Sequence, residues 1–185
     1  MKAVLASIHP QHCEQIAAGE KTFEVRKSIP KLKPPFTCYI YQTKRSWAYK
    51  LLEKLDMLPL AEILCRNQQR VVGQFVCDRT TQYVWIPDQY PWSQKSDGDY
   101  YLTDYDLNST CLTAEEIKAY GKGDALYGWH ISDLEIYDKP IPITSFFLAC
   151  NKPIWRDCTL CKEAGKFHCK QLERPPQSWC YVMEQ

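Results

Sequence analysis

The segment that decides the fold is Gly19-Glu20-Lys21-Thr22-Phe23-Glu24-Val25-Arg26. Its second half alternates polar and apolar residues, which is typical of a half-buried strand. In such a strand, Glu24 and Arg26 share one face and are about 6.6 Å apart along the chain, because side chains alternate between the two faces. Phe23 and Val25 then face the core. The segment therefore predicts a strand that carries one acid and one base on its open face.

Lys21 precedes this strand, so its ammonium group can lean over the end of the sheet. Arg26 can bind a phosphate or carboxylate through two hydrogen bonds, whereas Lys21 offers a mobile point charge. A desolvated Lys21 would have a lowered pKa and could act as a base or nucleophile, with Glu24 orienting it or accepting a proton. The simpler interpretation is an exposed strand face on which the charges pair with one another or across strands.

On both sides of this segment, short strand patterns alternate with helices of unequal length. Pro10 suits the first turn of a helix, and Thr113-Ala114-Glu115-Glu116 has the form of a capping box. This arrangement favours an α+β fold, a mixed β-barrel with flanking helices, over a regular βαβ sheet. The predicted strands are 4–8, 22–26, 37–41, 71–77 and part of 127–137, and the predicted helices begin at Pro10, at Trp47 (47–55), after Pro59 and at Ala114.

The chain resembles the ASCH domain family, which is related to the PUA domains. The resemblance is carried by the 19–26 motif G-x-K-x-x-E-x-R, the lead-in Ser7-Ile8-His9-Pro10, the strand at 71–75 and the closing stretch at 128–134. It implies an ASCH (PUA-like) domain over residues 1–148, with insertions around 43–70 and 78–125. A Cys-rich extension over 149–185 would then pack on the barrel.

The family resemblance also implies a function. ASCH domains are expected to bind RNA or modified nucleosides in a cleft lined by the motif, and some members are enzymes. The acetylcytidine amidohydrolase branch has a lysine where Lys21 stands and a threonine nucleophile at position 24, where this chain has Glu24. A ribonuclease role would use Lys21 and Arg26 to stabilise a phosphate transition state. The motif itself fits binding as well as hydrolysis through Lys21 and Glu24.

Aromatic and histidine side chains complete the predicted ligand site. The chain has 6 Trp and 12 Tyr, and single-stranded RNA is commonly recognised by base stacking on such rings. Most of these rings are expected to fill the core. The predicted ligand-binding residues beside Arg26 are His9, Tyr41, Trp129, His130, Ser178 and Trp179.

Four cysteines lie close together near the end of the sequence: Cys158, Cys161, Cys169 and Cys180. The Cys-x-x-Cys pair can reach one metal from a tight turn, and four soft ligands favour a structural zinc ion. His168 could replace one cysteine. The wide spacing of the second pair leaves two other interpretations open, namely four reduced cysteines and a redox or cluster role.

Charge is distributed unevenly along the chain. Residues 1–50 hold nine Lys/Arg and three Asp/Glu, whereas residues 97–138 hold two Lys and ten Asp/Glu. The basic end suits phosphates, and the acidic segment could be a docking surface for a protein partner or simply a solvated face. We found no apolar run that suggests a signal peptide or membrane span, so we expect a cytoplasmic protein with reduced cysteines and no membrane association.

Overall fold

The computed structural model describes residues 1–43, 69–86, 99–150, 152, 155–165 and 169–184. The chain divides into two compact units, each discontinuous in sequence. The first comprises residues 1–14, 37–75 and 134–185, and the second comprises 15–36 and 76–133. The helix predicted over 47–55 and the helical turns predicted after Pro59 lie outside the described residues.

Short strands dominate the described structure, with a few helices between them. The strands are β1 (Lys2–Ile8), β2 (Phe23–Arg26), β3 (Phe36–Gln42), β4 (Arg70–Cys77), β5 (Thr80–Tyr83), β6 (Trp85–Ile86), β7 (Asp99–Tyr100), β8 (Leu126–His130), β9 (Ser132–Pro142) and β10 (Trp179–Met183). The helices are α1 (Pro10–Ala17), α2 (Asp104–Thr110), α3 (Ala114–Gly121) and α4 (Thr159–Glu163), with 3-10 turns at Ile143–Ser145 and Trp155–Asp157.

The first unit is built on a five-stranded sheet with the order β10-β1-β3-β4-β9. The strand β1 is parallel to β3 and antiparallel to β10, so the amino-terminal strand lies beside the carboxyl-terminal one. Apolar residues from these strands and from the 143–146 turn form its core. They are Ala3, Leu5, Tyr39, Tyr41, Val71, Ile143, Phe146, Leu172 and Val182.

The second unit contains a three-stranded sheet, β2-β8-β5, and the two-stranded β6-β7 pair. Its helix α3 begins where the sequence predicts, because the Thr113 side chain and Glu116 form both hydrogen bonds of the capping box. Thr103 and Asp106 cap α2 in the same way. The core of this unit contains Val25, Tyr83, Tyr100, Ile117 and Leu126.

The predicted α+β class is confirmed, but the predicted barrel is not. The described strands form three separate sheets, and these sheets do not close on themselves. The division of the chain at residue 148 stays a prediction. In the described part of the chain, no helix is both long and apolar enough to span a bilayer.

Candidate functional site

The strand β2 brings the sequence motif into the second unit as its pattern predicts. It pairs antiparallel with β8, so that Glu24 lies opposite Trp129 and Arg26 opposite Tyr127. Residues that face one another in an antiparallel pair share a face of the sheet, so Glu24 and Arg26 lie on the same face as Trp129. Gly19, with φ of +74°, provides the turn that leads into the strand.

Lys21, Glu24 and Arg26 meet in space and form a charged triad. An Arg26 Nη2 atom lies 2.9 Å from Glu24 Oε1, and Lys21 Nζ lies 3.7 Å from Glu24 Oε2. Lys21 Nζ also donates a hydrogen bond of 2.5 Å to the carbonyl oxygen of Thr110. The three residues are only 2%, 6% and 6% exposed. The simpler interpretation is therefore wrong about exposure, although the charges do pair with one another as it predicts.

The electrostatics of the charged triad are unbalanced. Two cations share one carboxylate, so the buried group carries a formal charge of +1 when Lys21 is protonated. Burial lowers the pKa of Lys21 below its usual 10.5, and the charge of Glu24 opposes this shift only in part. Glu24 Oε2 accepts no hydrogen bond from the described residues. Within the triad, two cations thus face one carboxylate, and one oxygen of that carboxylate has no hydrogen-bond donor among the described residues.

Part of this arrangement has a structural explanation. Thr110 is the last residue of α2, so the Lys21 ammonium lies at the carboxyl end of a helix, where a cation is favoured. The backbone N–H of Thr22 donates to the carbonyl oxygen of Ser109 at 2.8 Å and holds the motif against the same helix end. Lys21 therefore fixes α2 to the start of β2, whatever else it does.

Two residues beside the charged triad were not predicted from the sequence. Tyr120 of α3 is 39% exposed, and its pKa, which burial raises, also responds to the charges of Arg26 and Glu24. Lys27 Nζ lies 5.3 Å from the centre of the Tyr120 ring. An exposed cation and a partly exposed ring thus flank the buried triad. The only sequence signal for Lys27 is its position next to Arg26.

The predicted aromatic and histidine ligands of the second unit lie in different surroundings. Trp129 is fully buried and packs edge-on against Phe36 at 6.0 Å between ring centres. His130 lies on the other face of the sheet, where its ring contacts Phe23 and its Nδ1 is 2.6 Å from an oxygen of Asp78. The ligand-binding roles predicted for both residues stay predictions. Trp129 shares the face of Glu24 but is buried, and His130 lies on the opposite face.

The remaining predicted ligand residues belong to the first unit. His9 is exposed and its ring lies 6.2 Å from that of His12, whereas Tyr41 is buried in the core. The carbonyl oxygen of Ser178 accepts a hydrogen bond from the backbone N–H of Ser7, and the ring of Trp179 packs against Tyr181. Their roles in ligand binding stay predictions.

A second cluster of polar side chains lies in the first unit, and it differs from the predicted zinc site in one ligand. Cys150, Cys158, Cys161 and Cys169 form it, with all sulfur atoms within 4.8 Å of one another, so the cluster could hold a metal ion. Cys180, predicted as the fourth ligand, instead lies on β10 opposite Leu5. The sequence offered no signal for Cys150, which follows an apolar run like any buried cysteine. His168 lies outside the described residues.

The thiols of this cluster are reduced, and they influence one another. No disulfide forms among the described cysteines. A hydrogen bond from the backbone N–H of Cys161 lowers the pKa of Cys158 to about 7, whereas burial raises the pKa of Cys169. Burial also raises the pKa of Cys180, to about 11. Cys158 is therefore more readily converted than Cys169 to the thiolate that metals bind.

Comparison with known proteins identifies the fold. No family model and no curated protein matches the sequence. The structure is similar to crystal structures of an ASCH protein from Zymomonas mobilis. A tyrosine-to-phenylalanine variant gives a TM-score of 0.55 at 16% identity, covering 100% of this chain and 92% of the other. A serine-to-alanine variant gives 0.55 at 14%, with 98% and 89% covered.

The unsubstituted Zymomonas mobilis ASCH protein gives a TM-score of 0.54 at 16% identity, covering 98% of this chain and 88% of the other. The chain therefore has an α+β fold that is similar to that of the ASCH structures. The resemblance seen in the motif is confirmed at the level of the fold. At such low identity, the likeness extends to the arrangement of strands and helices and leaves the ligand open.

Proposed function

We propose that the protein binds RNA or a modified nucleoside through the charged triad of Lys21, Glu24 and Arg26. The observation that carries this proposal is the buried triad itself, in which two cations face one carboxylate and Glu24 Oε2 has no hydrogen-bond donor among the described residues. An RNA phosphate would supply a further anionic partner, whereas a nucleoside, which has no phosphate, would offer carbonyl oxygens as hydrogen-bond acceptors to the two cations. The ASCH-like fold supports the proposal, since it is the fold expected for PUA-like RNA-binding domains.

The geometry suggests which groups of such a ligand would contact each side chain of the triad. Arg26 and Lys21 would face its anionic oxygens, while Glu24 Oε2 would accept a hydrogen bond from a base amide or amino group. Tyr120 and Lys27 supply an exposed ring and an exposed cation next to the triad. Stacking on the ring and a phosphate contact to Lys27 would guide the strand towards the buried charges.

Titration of fluorescent single-stranded RNA and of modified nucleosides at low salt tests this proposal. Lys21→Met and Arg26→Met should weaken binding about tenfold or more, since each removes a charge-assisted contact. Tyr120→Ala, which alters a partly exposed side chain, should weaken RNA binding without disturbing the core. Lys33→Met is the matched control, because Lys33 is an exposed cation of the same unit.

Absence of binding to any of these ligands at low salt would overturn the proposal. Equal affinities for the Tyr120→Ala, Arg26→Met and Lys33→Met variants would do the same, because the charged triad would then make no specific contribution. Circular dichroism of each variant separates a lost contact from a lost fold.

The second candidate function is hydrolysis of RNA or of an acylated nucleoside at the same place. The lowered pKa of Lys21 favours it, because a neutral amine can act as a base or nucleophile beside Glu24. Incubation with RNA and with acylated nucleosides, followed by mass spectrometry, should then show products that disappear in Lys21→Ala. Turnover that persists in Lys21→Ala would exclude Lys21 as the reactive group.

Location and metal complete the proposal. The free state of the described cysteines supports a reducing compartment, the cytoplasm. Zinc is the metal that suits four thiolates, and such a site leaves no open coordination position for a substrate. Its role would therefore be structural.

Docking of a protein on the acidic 97–138 segment has less support, because Asp106 and Glu116 there serve as helix caps.

A further inference from the structure

The segment of residues 150–169 is an excursion from the sheet of the first unit, and it is called the thiol loop below. The backbone N–H of Leu148 donates to the carbonyl oxygen of Lys170, and that of Leu172 donates to Phe146. Ala149 N–H donates to the carbonyl oxygen of Tyr181 on β10. The chain thus leaves a short antiparallel pairing directly before Cys150 and re-enters it directly after Cys169.

The described part of the thiol loop buries little apolar surface. Among its described residues, Cys150 and Cys161 are the buried ones, and the apolar Leu160 is 52% exposed. The described residues therefore contribute little hydrophobic stabilisation to offset the conformational entropy lost on ordering. Small elements of this kind are usually held by disulfides or by a metal. Disulfides are absent among the described cysteines.

The sulfur atoms have the spacing of a metal site. Zn–S bonds of about 2.3 Å place the sulfurs of a tetrahedral site about 3.8 Å apart. The Cys158–Cys169 and Cys161–Cys169 sulfurs are 3.6 and 3.3 Å apart, well beyond the bond of about 2.05 Å in a disulfide. The backbone N–H of Lys152 donates to the Cys150 sulfur at 3.4 Å, as expected around a metal-bound thiolate.

We infer that Cys150, Cys158, Cys161 and Cys169 bind one zinc ion, and that this ion clamps the base of the thiol loop. Cys150 and Cys169 adjoin the two paired segments, whereas Cys158 and Cys161 come from the start of α4. The ion would therefore join both ends of the loop to its middle. This inference rests on the proposed presence of zinc and is independent of RNA binding.

Metal analysis and cobalt substitution of the reduced full-length protein test the ligand set. We expect one zinc per chain, and cobalt in its place should give the sulfur-to-metal charge transfer and tetrahedral bands of four thiolates. Cys150→Ser should change this spectrum and weaken metal binding on the order of 100-fold, because it removes a ligand. Cys180→Ser is the matched control and should leave both the spectrum and the affinity unchanged.

A protein that takes up no zinc under reducing conditions would overturn the inference. So would loss of metal in Cys180→Ser with retention in Cys150→Ser, and so would the visible absorption of an iron–sulfur cluster in the purified protein.

Limited proteolysis tests the clamp. Removal of zinc by a chelator should expose the thiol loop to cleavage, and restoring zinc should protect it again. Equal cleavage with and without metal would show that the ion does not hold the loop. RNA binding measured on the Cys150→Ser variant keeps the two proposals apart, because loss of metal with retention of RNA binding shows that the zinc site and the charged triad are independent.

Discussion

The charged triad of the second unit and the thiol cluster of the first unit are both buried polar groups, but their charges are of opposite sign. The triad contains two cations and one carboxylate, whereas the cluster becomes anionic as its thiols lose protons. Burial is costly for either sign unless a partner is present. The comparison suggests that one unit is built to receive an anion and the other a cation.

The two groups also differ in how far they are satisfied by the protein itself. Within the triad, Glu24 already pairs with both cations, and the carbonyl oxygen of Thr110 accepts from Lys21. The thiols of the cluster contact mainly one another, and a thiol is a weak hydrogen-bonding group. Substitutions in the triad should therefore alter stability without any ligand, whereas the cluster should matter chiefly when metal is bound.

The largest effect on stability is expected for Glu24→Gln. This change leaves two buried cations without their shared anion, which should reduce the free energy of unfolding by about 3–5 kcal/mol. Glu20→Gln is the matched control, since Glu20 is exposed, and it should change stability by about 0.5 kcal/mol or less. Urea denaturation of both variants makes the measurement. Equal stabilities would show that Glu24 does not compensate the buried cations.

A smaller effect concerns pH. Since the pKa of Lys21 is lowered on folding, the unfolded chain keeps this proton over a range where the folded protein has lost it. The free energy of unfolding should therefore rise with pH between the lowered pKa and 10.5, by up to about 1.4 kcal/mol per pH unit. Lys21→Met should remove this contribution. Parallel pH profiles for the two proteins would contradict the buried state of the ammonium group.

The smallest effect is expected for Asp78→Asn. Asp78 pairs with His130 at 2.6 Å but is itself exposed, so solvent screens the pair. Its loss should reduce the free energy of unfolding by about 0.2–1 kcal/mol. Thermal denaturation of both proteins at the same pH makes the measurement. A loss as large as that of Glu24→Gln would mean that burial is not what distinguishes the triad.

Features that depend on interactions between residues close in the sequence could be predicted, whereas features that depend on contacts between distant segments could not. The alternation around Glu24 and the capping box at Thr113 are local patterns, and both elements form where they are predicted. Local patterns could not show that the charges of β2 are buried. That burial depends on the end of α2, which supplies the Thr110 carbonyl 89 residues from Lys21.

The thiol cluster likewise combines a local pattern that the sequence shows with a distant contact that it does not. The Cys-x-x-Cys spacing correctly brings Cys158 and Cys161 together, because both lie at the start of one helix. Cys150 joins them through the ladder between Leu148 and Lys170, a pairing of distant segments that no local spacing reveals. Cys180 is nearer than Cys150 to Cys169 in the sequence, but its place on β10, opposite Leu5, keeps it out of the cluster.

The salt dependence of RNA binding tests the central claim most directly. If the buried positive charge of the second unit receives a phosphate, the logarithm of the affinity should fall linearly with the logarithm of the salt concentration. Arg26→Gln should then reduce the magnitude of this slope by about one and weaken binding, while Cys150→Ser leaves both unchanged. Identical slopes and affinities for Arg26→Gln and the unsubstituted protein would contradict the account.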